Sequence, residues 1–393
     1  MLTRARKRQM TTATERTPNP SLPDDVMVSI FARVPISYYP CLYLVSKRFQ
    51  SLLVSPELHK TRSLLGRRKE NFLYVCLTFP TDPNPRWFTL CRKPDQALTK
   101  SKRKKKSSGN VLAPFTTFSS PKIERRSCLE AIGSNIYKIG RSTKDEPQPS
   151  SSVLFLDCRS HTWREAPSFL VERSSPLIAS VVGGKIYVLG GTKDHDVDPW
   201  DQIEMFDSET QTWDHVPKHN LKLDVWGFNR RIACVDGKLH LKIEKQYVAY
   251  DPMEIRWDVV ERDMFRHRSP SIHERLAYCT VNNVFYRYSY CHTGDTLKWY
   301  DTESEEWKKV KGVLRLPKFH ESPLIRLADY GGKMAVLWEK LDSCSSGLKT
   351  LWCAVIKLER RKDDEIRAKV EWVDGVLQVP YSYEFVKALG VTV

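Results

Sequence analysis

The sequence lacks several features that would each announce a chemistry. No uninterrupted apolar run is long enough to cross a bilayer as a helix, which excludes a helical membrane span. The opening stretch, MLTRARKRQMTTATERTPNP, has no apolar core, so a secretory signal is not expected. It is basic and Thr-rich with one acid, which leaves a transit peptide open. No Cys-x-x-Cys pair occurs. The ten cysteines stand singly at 41, 76, 91, 128, 158, 234, 279, 291, 344 and 353, which removes the usual zinc and redox signatures. Most lie inside apolar runs such as LYVCL and LWCAVI, and they read as small hydrophobes in a reducing compartment. No Gly-rich loop opens a helix to cradle phosphate, and no Gly-x-Ser-x-Gly elbow is present.

What is present is a repeat. The stretch Val181–Trp213 reads as an apolar strand ending in Gly190-Gly191, a polar loop, a second strand ending in Asp207, and then Trp213. The same Asp-to-Trp step recurs at Asp157/Trp163, Asp251/Trp257 and Asp301/Trp307, with successive Asp residues 50, 44 and 50 positions apart. A period near fifty residues marks a propeller or array of small sheets. The chemistry suits this. Asp, Ser and Thr bond nearby backbone and make the turn. The Trp opens the returning strand with a large ring to bury. The Gly pair ends a strand where positive φ or close approach is needed. Each Trp is expected to be core.

The net charge of +16 is uneven: residues 1–20 carry +4 and residues 92–106 carry +7. The run Lys102–Lys106 reads as a nuclear-import-like or nucleic-acid-like segment, with a solvated insertion as the plain alternative. No interleaved aromatics or recognition helix accompany it, so nucleic acid is not an expected partner.

Residues 21–60 have a different character. Pro23 with Asp24 and Asp25 makes a helix start, and Leu22, Val26, Ile30, Phe31 and Val34 follow at helical spacing. Pro35 stops that helix. Leu42, Val45, Phe49, Leu52 and Leu53 form a second stripe closed by Pro56. Three short helices are expected, too few to bury all this apolar surface alone. The order Leu-Pro-Asp-Asp, Ile-Phe-Ala-Arg-Val-Pro, Leu-Val-Ser-Lys-x-Phe and Leu-Leu-x-Ser-Pro-Glu-Leu resembles an F-box. The repeat resembles kelch, and the combination is similar to plant F-box/kelch proteins. The resemblance implies helices that dock on a Skp-type adaptor and, through it, a cullin. Leu22, Pro23, Ile30, Val34, Pro35, Leu42, Val45, Phe49 and Leu52 are then expected at that interface or just beneath it.

The expected architecture is therefore a small all-α F-box (21–65) followed by an all-β kelch-like propeller (71–390). A disordered basic tail (1–20) precedes the F-box, and a disordered basic insertion (92–110) interrupts the propeller. One partial unit plus five gives six blades, with five and seven left open. In the first unit, Asn71–Leu90, Trp87 is expected to take the role of the later Trp residues. A charged hairpin lengthens the last unit before Trp372. The tail VDGVLQVPYSYEF is expected to supply a closing strand.

A copper-oxidase propeller would need two His with Tyr or Cys ligands on the central axis. His215 and His219 in a polar connection do not meet that description. Asp194–Asp198 lacks the Gly and terminal Glu of a calcium loop. Ubiquitin transfer needs a reactive Cys or a zinc-organised domain, and the Cys spacing supports neither. The resemblance thus implies a non-catalytic substrate receptor without cofactor or metal, located in cytoplasm or nucleus. Its propeller loops, Lys193–Asp201 with Trp200 among them, would meet a target protein. The rival readings are a kelch scaffold whose 21–60 stripe is buried on the propeller, and a basic chromatin-associated protein.

Overall fold

The computed structural model describes residues 22–43, 45–66, 70–82, 84–93, 109–115, 117, 120–123, 127–140, 150–173, 177–191, 203–218, 230–243, 245–265, 275–291, 294–313, 316, 324–342, 347–361 and 365–393. The tail 1–20, the run Lys102–Lys106, His219, Asp194–Asp198 and Trp200 lie outside these residues.

The N-terminal segment is helical. Pro23 precedes α1 (Asp24–Phe31), and Asp24 and Asp25 occupy its positive first turn. A 3₁₀ turn at Ile36–Tyr38 leads into α2 (Tyr39–Tyr43). In α3 (Lys47–Leu53), Ser46 Oγ accepts from the Phe49 N–H at 3.2 Å; in α4 (Pro56–Leu64), Ser55 Oγ accepts from the Leu58 N–H at 3.3 Å. Pro56 thus opens a further helix instead of closing the segment, because at the first helical position its missing N–H costs nothing. Among the described residues, the expected three helices are four plus the 3₁₀ turn. They enclose a core of their own, including Met27, Val28, Phe31, Leu52, Leu53 and Leu58.

Six four-stranded antiparallel sheets follow. Blade one holds β1 (Asn71–Thr78), β2 (Arg86–Arg92) and β3 (Asn110–Phe115). Blade two is β4 (Cys128–Ile132), β5 (Asn135–Ile139), β6 (Val153–Asp157) and β7 (Thr162–Ala166). Blade three is β8 (Ile178–Val182), β9 (Lys185–Leu189), β10 (Ile203–Asp207) and β11 (Thr212–His215). Blade four is β12 (Arg230–Val235), β13 (Lys238–Ile243), β14 (Gln246–Asp251) and β15 (Arg256–Val259). Blade five is β16 (Arg275–Val281), β17 (Val284–Cys291), β18 (Gly294–Asp301) and β19 (Glu306–Lys309). Blade six is β20 (Ile325–Asp329), β21 (Met334–Leu341), β22 (Leu348–Arg360) and β23 (Ile366–Pro380). The last strand, β24 (Glu384–Thr392), returns to blade one as its inner strand, in the order β24-β1-β2-β3.

The repeated Asp ends the third strand of blades two to five, and the Trp lies on the fourth. Each Asp carboxylate accepts a backbone N–H two residues on: Asp157 from Arg159 at 3.0 Å, Asp207 from Glu209 at 2.9 Å, Asp251 from Met253 at 2.9 Å and Asp301 from Glu303 at 3.2 Å. Four residues after each Asp the backbone turns left-handed, at His161, Gln211, Ile255 and Glu305, with φ between 52° and 60°. That closing residue gives the step its fixed length and sets the Trp opposite the residue before Asp, as in Phe206↔Trp213 and Tyr250↔Trp257. Trp213, Trp257 and Trp307 then donate their indole N–H to Pro167 O (2.8 Å), Pro217 O (2.7 Å) and Met264 O (3.0 Å) in the connection from the preceding blade. Gly190 and Gly191 have φ of 91° and 82°, as their place at the strand end requires.

Two expectations about the ring's seam are corrected. Trp87 lies on β2, the third strand of its blade, and the fourth strand comes only after the basic insertion. Of the tail VDGVLQVPYSYEF, residues 373–380 stay in β23 paired with β22; the closing strand is Glu384–Thr392, running past the expected 390 boundary. It pairs with β1 from Asn71↔Thr392 to Thr78↔Glu384. The insertion springs from the β2–β3 hairpin, whose base is closed by Lys93 N donating to Gly109 O at 2.7 Å. Strands therefore take its expected end residues Arg92 and Asn110.

The helices rest on blades one and two. His59 Nε2 lies 2.8 Å from Arg159 O in the β6–β7 turn. Ile36, Tyr39, Tyr43, Leu53 and Val54 face Phe72, Tyr74, Phe115 and His161 across a small apolar cavity of about 30 Å³. His161 stacks on Phe115 with centroids 4.2 Å apart and meets the Tyr74 hydroxyl at 3.3 Å.

Gly390 lies so close to β20 that a Cβ there would stand 2.0 Å from Asp329 O. Gly390→Ala is therefore expected to destabilise the propeller by about 3 kcal/mol, the upper end for an overpacked site. An unchanged denaturation midpoint would show that the closing strand is not held at this distance. Burial at the seam also pushes the His161 imidazole down to about 4. The unfolded imidazole takes up a proton below about 6.5 while the folded one does not, so stability falls as pH drops from about 6.5 to 4. His161→Phe should remove up to about 3 kcal/mol of that pH dependence. Burial holds His240 equally low, so the difference between wild type and variant isolates His161. Parallel stability profiles in urea from pH 7.5 to 4 would contradict the assignment.

Candidate functional site

The helical segment divides its apolar residues between two faces. Met27, Val28 and Phe31 of α1 turn inward and are buried, while Leu22, Val26 and Ile30 are 51%, 39% and 44% exposed. Val26 and Ile30, spaced four apart, share one face of α1, and Leu22 stands exposed just before its Pro23 cap, so the three form one outward ridge. At the far end of the segment's fold, Arg48 Nε donates to Asp24 Oδ1 at 2.8 Å, and its Nη2 donates to the Leu22 carbonyl. These bonds bring the start of α3 against the start of α1, where Val45 is 62% exposed. Pro23 and Pro35 are also exposed. Val34, Leu42 and Phe49 are half-buried and pack against the helical core, and Leu52 is one of its buried members. The expected interface residues therefore separate into an outward set (Leu22, Pro23, Ile30, Pro35, Val45), a margin (Val34, Leu42, Phe49) and a support (Leu52). Val26 completes the ridge. Its place was readable from the spacing Leu22, Val26, Ile30.

The propeller offers a second surface of a different kind. Its inner strands surround a central channel of about 530 Å³, lined mostly by small and polar residues. The charged pair inside it, Lys387 Nζ to Glu130 Oε1 at 3.1 Å, joins the closing strand to blade two. The blade-defining residues are structural. Trp163, Trp213, Trp257, Asp157 and Asp301 are buried, and Asp207, Asp251 and Trp307 are half-buried at their turns. His215 is exposed. Among the described residues, no three His, Cys, Asp or Glu side chains gather as ligands for a metal ion. Burial pushes the thiols of Cys76, Cys279 and Cys353 well above their ordinary range, and that of Cys128 up to about 12, so none is a thiolate at neutral pH.

Charged residues in the polar stretch 61–70 carry more structure than their composition suggests. Arg62 is 6% exposed and bonds the half-buried Glu70, while a fully buried pair, Arg173–Glu204, ties blade two to blade three at 2.6 Å. The composition of a polar segment gives no local sign of which of its charges the fold will pair and bury.

These two bodies correspond to known families. Residues 20–61 match the F-box domain model, and residues 87–377 match the FKB95, Kelch-repeats domain model. An F-box/kelch-repeat protein of Arabidopsis thaliana is 48% identical over 384 residues, covering 96% of this chain and 93% of the relative. A second F-box/kelch-repeat protein from the same plant is 48% identical over 376 residues, covering 94% of this chain and 98% of the relative. A third is 47% identical over 388 residues, with 98% of each chain covered. With an N-terminal helical domain that exposes an apolar ridge and a six-bladed propeller behind it, the chain belongs to the plant F-box/kelch-repeat family.

Proposed function

We propose that this protein is the substrate receptor of a Skp–cullin–F-box ubiquitin ligase. The observation that carries the reading is the exposed ridge Leu22, Val26 and Ile30 with Val45 beside it, left uncovered although the same helices pack other apolar side chains against blades one and two. A helical cap serving only the propeller would have buried that ridge as well. Aliphatic anchors at helical spacing suit a groove on a Skp-type adaptor, which would link the chain to a cullin. The propeller would hold a target protein, with Trp200 as a candidate contact. The chain would perform no bond chemistry itself: it would raise the local concentration of target lysines at a charged conjugating enzyme. The basic run Lys102–Lys106 we read as a nuclear-import signal, with the cytoplasm as the other compartment.

Titration of a purified Skp-type adaptor against the full chain tests this. Ile30→Asp should weaken binding at least about 100-fold, as loss of a central apolar anchor does. Met253→Asp, at a fully exposed turn of blade four, should leave it unchanged. Absence of binding by folded wild type across several adaptors would favour an interaction scaffold with no link to ubiquitination.

A further inference from the structure

A receptor whose helices hang on a flexible linker would place its target anywhere within reach. The seam between helices and propeller is built differently. Only a short connection separates Leu64, the end of α4, from Asn71, the start of β1. Across it runs a chain of bonds that starts inside the helical domain and ends in the closing strand of the ring.

Arg62 on α4 is buried. Its Nη1 donates to the carbonyls of Val34 at 2.7 Å and Ala32 at 3.3 Å, just past the end of α1, and lies 3.2 Å from the Tyr39 hydroxyl. Its Nη2 donates to Glu70 Oε1 at 2.9 Å. The other oxygen of Glu70 accepts the Ile36 N–H at 3.1 Å. The backbone of Glu70 then exchanges both hydrogen bonds with Val393, at 2.8 and 2.9 Å, adding one rung to the β1–β24 ladder. Glu70 thus joins α4 and the 3₁₀ turn through its carboxylate, and the two ends of the propeller through its backbone. Charge-assisted bonds from a buried guanidinium to a half-buried carboxylate are strong and directional.

We infer that Arg62 and Glu70 are positioning residues, which weld the exposed helical ridge to the propeller closure so that the two move as one body at a fixed angle. If the chain serves as the ligase receptor proposed above, this angle determines which lysines a conjugating enzyme can reach. The weld itself does not depend on that reading.

The experiment uses the full chain with spin labels introduced through non-natural residues at Ser51 on α3 and Glu209 on the blade-three turn, both exposed. Wild type should give one narrow distance distribution. Glu70→Ala and Arg62→Met should broaden it, and Glu70→Ala should speed exchange of the Ile36 amide by at least about tenfold. Glu70→Gln, whose single amide oxygen can replace only one of the two carboxylate acceptors used by Ile36 and Arg62, should restore the narrowness only in part. Rescue of this kind separates positioning from mere stability, which near-UV circular dichroism follows in parallel. If a variant fails to fold, wild type still decides, since a broad wild-type distribution overturns the proposal. So does a distribution that stays equally narrow in folded Glu70→Ala. In a reconstituted ligase, wild type should ubiquitinate a restricted set of its own lysines and Glu70→Ala a wider one. Lack of adaptor binding would defeat the ligase reading and leave the distances to judge the weld.

Discussion

Ring closure is the constraint on which the rest of this structure depends. A propeller's sheets bury their faces against their neighbours, so an open ring leaves two blades with uncovered apolar surface. Here the ladder between β1 and β24 joins segments about three hundred residues apart in sequence, and the entropy of closing so long a loop must be offset at that one place. The surroundings reinforce it. Lys387 of β24 reaches Glu130 in blade two. On the other side, Asp374 of blade six accepts from both the backbone N–H and the side-chain amide of Asn110 at the start of β3. The lack of a side chain at Gly390 lets β24 lie against β20.

The same economy governs the buried charges. Arg173 and Glu204 have no exposed side-chain surface, which is tolerable only because their polar atoms are nearly all engaged. Glu204 accepts from Arg173 and from the backbone N–H groups of Leu170 and Val171, while Arg173 donates to the carbonyl of Gly190. The pair organises the connection between blades two and three and holds the Gly190-Gly191 corner. Thus Gly190 meets a conformational need and also presents its carbonyl to a buried cation.

How much of this was legible in the sequence depended on whether the cause was local. The Asp-to-Trp step could be read because one hairpin contains all of it: the Asp cap, the left-handed residue and the returning Trp. Repetition then gave the blade period, and six blades followed. Trp87 falls on a third strand and not a fourth because its blade is split by the basic insertion and completed by β24, so neighbours in sequence are not the relevant neighbours in space. The closing strand was set too early because residues 373–380 also alternate, and only pairing with β22 decides their sheet. In the helices the apolar spacing was plain, yet its division into an outward ridge and a buried face required the orientation of α1 against α3 and α4. Arg62 and Glu70 were invisible for a similar reason: a buried charge is recognised by its partner, and the partner is known only from the fold.

In the proposed reading the helical ridge joins this protein to a larger assembly, while the propeller is left free for a target. Hydrogen–deuterium exchange of the full chain, with and without a purified Skp-type adaptor, addresses it most directly. New protection is expected only in the segments around Leu22–Ile30 and Val45, with the six blades unchanged. Protection appearing in the blades and absent from α1 would contradict it.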